Sequence, residues 1–201
     1  MERTENKHFI DHVVDGMRKS AAELEEFQLQ LSLGKMEAID AFHATKKSFS
    51  NFTHEMKLKA IHGKQNWENI LGKIQDLQVQ LALGKAETKE EFEEQKKKIA
   101  LAIHSLQIAI KTNPSFIESH ALFLETLENL KLKMEILSEK LNPAKEKVTT
   151  EFKVRKEQLE DAILQFKEKI RSKSTIDERF ATFQDELSEA FNHFKKAFVS
   201  R

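Results

Sequence analysis

FQLQLSLGK at Phe27–Lys35 returns further along the chain as LQVQLALGK at Leu77–Lys85. Taken alone, alternation of this kind is the pattern of a half-buried strand closed by glycine. The residue types argue for helix instead. Leu, Gln and Ala form helices well, and β-branched residues are nearly absent from both stretches. A 3-4 apolar rhythm also enters each copy and leaves it in the same phase. Around the first it runs through Ile10, Val14, Met17, Ala21, Leu24, Leu31, Ala38, Phe42, Phe49 and Phe52. Around the second it runs through Trp67, Leu71, Ile74, Leu81, Thr88, Phe92, Ile99 and Leu106. Because a turn would reset that phase, Gly34 and Gly84 are expected inside unbroken helices.

The doublet extends beyond these stretches. Residues 28–54 and 78–104 share Gln28/Gln78, Gln30/Gln80, Leu31/Leu81, Leu33/Leu83, Gly34/Gly84, Lys35/Lys85, Glu37/Glu87, Phe42/Phe92, Lys46/Lys96, Lys47/Lys97 and His54/His104. Such agreement marks an internal repeat. A fainter third copy lies at Leu141, Lys145, Glu151, Phe152 and Lys156.

Helix signals divide the remainder. Gly63 after His62 reads as a C-cap, Thr112-Asn113-Pro114 stops the second segment, and Ser115 with Glu118 opens the third as a capping box. Asn142-Pro143 starts a new helix or kinks the old one. Thr175 with Glu178 caps a last helix carrying Phe180, Phe183, Leu187, Phe191, Phe194 and Phe198. The expected helices are 4–62, 65–111, 115–141, 143–171 and 175–199. The expected fold is all-α, one domain over 1–201: an elongated antiparallel bundle of three long segments, the third kinked or broken at Pro143, with a shorter C-terminal helix and coiled-coil-like packing.

In helical projection Leu29, Leu33 and Met36 leave the main seam and form a second apolar face, as Val79, Leu83 and Ala86 do in the other copy. A helix with two apolar faces is contacted from both sides, either within a larger bundle or by another subunit. A hairpin about Gly63 would set Gly34 level with Phe92 and Gly84 level with Phe42, a small residue making room for a ring. Lys35 would then reach Glu90 or Glu91, and Lys85 would reach Asp40. The alternative is that the glycines are local kinks.

Composition removes several classes of function. Lys plus Arg and Asp plus Glu are 33 each, so the overall field favours neither nucleic acid nor an anionic membrane. With no cysteine there is neither a disulfide framework nor a thiolate metal site, as in a reducing compartment. The opening residues lack an apolar targeting core and no run approaches a membrane span, so a cytoplasmic location is expected. There is no cysteine or tyrosine, no Gly-rich phosphate loop and no Gly-x-Ser-x-Gly elbow, and no enzyme is expected. Glu5-x-x-His8 has the spacing of di-iron bundles, with His12 a turn further on, but a second such motif is missing. His54, His104 and His120 are expected as ordinary half-buried or surface histidines. No metal or cofactor is expected.

Two readings of function follow. The first is a non-catalytic scaffold or adaptor that self-associates, as a homodimer, through the Leu29/Leu33/Met36 and Val79/Leu83/Ala86 faces. The second is a peripheral membrane protein using a basic strip over 143–173 and the Phe-rich last helix.

Overall fold

Phe123, Leu127, Leu130, Met134 and Leu137 are buried on one side of a helix while Leu124, Leu132 and Ile136 are buried on others. A helix apolar around its circumference has to be surrounded. In the computed structural model, which describes residues 2–32, 37–62, 68–83, 88–111, 119–141, 152–172 and 176–199, that helix is the hub. The described residues form seven α-helices and no strand: α1 (Glu2–Ser32), α2 (Ala38–His62), α3 (Glu68–Leu83), α4 (Lys89–Lys111), α5 (Ser119–Lys140), α6 (Phe152–Ser172) and α7 (Ile176–Phe198). Central α5 packs against α1, α2, α4 and α7.

Side-chain pairs fix the directions. Ser20 meets Glu125 while Glu23 and Phe27 meet Lys133, so α1 and α5 run in parallel. Glu93 meets Ser138, Lys96 meets Glu135 and Gln107 meets Glu128, so α4 runs against α5. Ser188 with Glu128 and Lys195 with Glu135 make α7 parallel to α5. Asp11 with Lys167 and Arg18 with Glu160 make α6 antiparallel to α1. The start of α2 meets the start of α4 through Phe42 and Phe92, and its end meets the start of α5 through Phe52 and Phe123. Helix α3, bonded to α4 through Gln80 and Gln95, completes a strictly alternating order.

Two four-helix rings result, α2–α3–α4–α5 and α1–α5–α7–α6, with α5 common to both. A single apolar core runs through them.

The all-α expectation agrees with this architecture; the three-rod arrangement does not. The helix expected over 4–62 is two helices ending at Ser32 and starting at Ala38, and that over 65–111 is two, ending at Leu83 and starting at Lys89. Since α1 and α2, and α3 and α4, run in opposite directions, each copy of the repeated segment spans one helical hairpin. The third segment, expected to be kinked or broken at Pro143, is two opposed helices, α5 and α6, with Pro143 outside the described residues. The last helix is no shorter than the two it packs on most: α7 has 23 residues, α5 has 22 and α6 has 21.

The local reason is visible at α4. Thr88 Oγ1 accepts from Glu91 N at 3.2 Å while Glu91 Oε2 accepts from Thr88 N at 3.1 Å, a reciprocal capping box. Apolar phase is preserved across the break because both helices of a hairpin present a stripe to the same core. Matching phase is therefore no evidence of a continuous rod.

Candidate functional site

Helices α1 and α2 both sit on α5 but pack on each other far less, which leaves a cleft of about 400 Å³ between them. Small residues keep it open: Gly16 and Ser20 on α1, Thr45 and Ser48 on α2. Phe49, Phe52, Leu122 and Leu130 supply apolar wall, and Lys19, Glu23, Glu55 and Lys133 supply charge. The volume lies within the range of small-molecule sites.

The floor comes from α5. Glu125 is 3% exposed, and its carboxyl accepts a hydrogen bond from Ser20 Oγ at 2.9 Å. It lies so close to α1 that a Cβ at position 16 would overlap Oε2 unless the carboxyl shifted. Burial pushes this carboxyl up to about 7, opposed by the Ser20 bond and by Lys19 and reinforced by Glu23. One turn along, Asn129 is 6% exposed and its buried Oδ1 has no hydrogen-bond partner. Such an orphaned acceptor is uncommon in a folded chain and calls for an explanation.

The adjoining face of α5, toward α4 and α7, is satisfied. Glu128, 5% exposed, accepts from Gln107 Nε2 at 2.8 Å, Ser188 Oγ at 2.8 Å and Lys131 Nζ at 2.9 Å. Glu135 pairs with Lys96 at 3.0 Å and Lys195 at 3.6 Å. These contacts tie α4 and α7 across the hub, whereas the α1/α2 side is left as a cleft.

Of the expected second apolar face, Leu29 is 57% exposed and Val79 49%. Leu33, Met36 and Ala86 lie outside the described residues, as does the side chain of Leu83. Gly34 and Gly84 lie outside them as well, together with Lys35 and Lys85, so the expected Gly–Phe pairing is not placed. Phe42 and Phe92 are both buried and pack on each other. A further apolar stripe, missed in the sequence, is formed on α4 by Leu101, 70% exposed, and Ile108, one heptad away.

Phe183, Phe191, Phe194 and Phe198 of the last helix are buried in the core. Within the expected basic strip Lys167 pairs with Asp11, and Lys169 with Glu186 and Glu189. Among the described residues no helix is long and apolar enough to cross a membrane, and no three His, Asp or Glu side chains come together as a metal site. His12, His54 and His104 are exposed; the side chains of Glu5, His8 and His120 lie outside the described residues.

Nothing in the sequence signalled the cleft directly, because Glu125 and Asn129 read as ordinary polar positions of a Leu-rich helix. The usable sign was their i, i+4 spacing on a helix rich in apolar residues. No family model matches the chain, and no curated protein or solved structure does.

Proposed function

We propose that the chain is a non-catalytic helical interaction module that self-associates as a dimer through the outer faces of α1 and α3. The observation that carries this reading is the exposure of Leu29 and Val79 at matching repeat positions near the ends of two parallel helices. A large aliphatic side chain left in water costs about 1.5–3 kcal/mol relative to burial, so a second copy covering both faces would gain from each. A lipid surface has weaker support, since the aromatic rings it would need are already in the core.

Multi-angle light scattering over a concentration series tests the reading. Dimer is expected for the unaltered chain and monomer for the Leu29→Glu/Val79→Glu double variant, with Leu101→Glu/Ile108→Glu leaving the dimer intact. A monomer at high micromolar concentration for the unaltered chain overturns it.

A further inference from the structure

The cleft contains an excess of buried acceptors. We propose that it binds a small organic ammonium ion, whose charged nitrogen is held by the Glu125 carboxylate and Asn129 Oδ1 and whose apolar body lies against Phe49, Phe52 and Leu122.

Several independent features converge on that class of ligand. Glu125 and Asn129 are neighbours on one face of α5, spaced i, i+4, and both line the cleft. Asn129 Oδ1 has no partner within the protein, and Glu125 receives only a hydroxyl from Ser20 rather than a cation. An ammonium group supplies several donors from one atom together with the missing positive charge. Phe49 and Phe52 line the cleft with aromatic rings, which attract a cation as well as an apolar chain, and Leu122, 55% exposed, lines it too.

Competing ligand classes fit less well. An anion would meet Lys19 but also Glu125, Glu23 and Glu55 together with the Asn129 acceptor, while Lys133 is already engaged by Glu23 at 3.6 Å and by the Phe27 ring. A metal ion would require more ligands than one carboxylate and one amide, and no ligand cluster exists among the described residues. One ordered water could satisfy Asn129 Oδ1, but it would leave most of the roughly 400 Å³ and the aromatic wall unused.

Binding has a proton signature. Below pH 7 the Glu125 carboxyl is largely neutral, so an ammonium ion must displace its proton into solvent. The groups around it are Lys19 and Glu23 on α1, Glu55 on α2 and Lys133 on α5. Raising the pH from 6 to 8 takes a carboxyl titrating near 7 from about one tenth to about nine tenths ionised, so affinity should rise about tenfold.

Benzylamine, charged throughout that range, is the probe, with benzyl alcohol as its uncharged counterpart. Amide NMR titrations to about 10 mM ligand, where millimolar affinity is measurable, should show saturable shifts at Ser20, Thr45 and Asn129 with the amine. The alcohol should bind at least tenfold more weakly. Glu125→Gln keeps the acceptor for Ser20 and should abolish the pH dependence while weakening benzylamine at least tenfold at pH 8. Asn129→Ala should weaken it severalfold without removing the pH dependence. Circular dichroism establishes that each variant is folded, and a variant that does not fold is replaced by Glu125→Asp, which shortens the reach and should also weaken binding. Equal binding of amine and alcohol, an unaltered affinity in Glu125→Gln, or no shifts at the cleft overturns the proposal. Loss of dimerisation without loss of amine binding would leave this site standing while removing the function proposed above.

Discussion

Phe42 and Phe92, matching residues of the two repeated segments, meet edge to face with ring centroids 5.2 Å apart. Helices α2 and α4 run in the same direction, so equivalent positions in the two copies stand at the same level, and the ring contact joins them. Lys46 and Lys96, also equivalent, diverge: Lys46 lies over the Phe42 ring at 5.2 Å, whereas Lys96 reaches Glu135.

Truncating either ring should be costly because both are fully buried. Phe92→Ala and Phe42→Ala are each expected to lose about 3–5 kcal/mol of stability in urea unfolding. The double variant should fall short of the sum by about 0.5–1.5 kcal/mol, the coupling of an aromatic pair. Strict additivity in that cycle would show the contact to be incidental.

Thr88 carries the start of α4. Thr88→Ala removes the hydroxyl that accepts from Glu91 N, and a loss of about 1 kcal/mol is expected from the same unfolding measurement. Thr88→Ser should retain most of it.

Glu125 sets a pH dependence of stability. The folded chain holds this carboxyl near 7, against 4.5 for an ordinary glutamate, so between those values the folded state binds more protons than the unfolded one. Its contribution is therefore full below about pH 4.5 and is lost as pH rises through about 7, by up to about 3 kcal/mol. Unfolding at a series of pH values should show the decline, and Glu125→Gln should flatten it and be the more stable form at pH 8.

Glu128 is buried like Glu125, but it is fully bonded. Glu128→Leu strands the buried Gln107 amide and the Ser188 hydroxyl and should cost about 2–4 kcal/mol, while Glu128→Gln, which keeps an acceptor, should cost about 1 kcal/mol. Thermal or urea unfolding distinguishes the two.

The helical class and most of the core were legible because Val14, Met17, Leu24, Phe42, Ile74, Phe92 and Leu106 recur at helical spacing and are buried. The hairpins were not, since an apolar stripe in constant phase looks the same whether a helix continues or doubles back. Local signals were available: the Gly-Lys pair beyond each helix end, and Thr88 three residues before Glu91. Glu125 and Asn129 were illegible for a different reason. Their environment is made by α1 and α2, and depends on contacts between residues more than sixty positions apart.

Among the described residues α1 and α7 run in the same direction, which puts the beginning of α1 at one pole and the end of α7 at the other, where Gln28 Nε2 donates to Phe198 O at 2.9 Å. Tension applied between Glu2 and Phe198 therefore acts along the helix axes and loads α1 and α7 in shear against α5 and α6, instead of peeling one helix away at a time. Mechanical load between these two points would be distributed over whole interfaces at once.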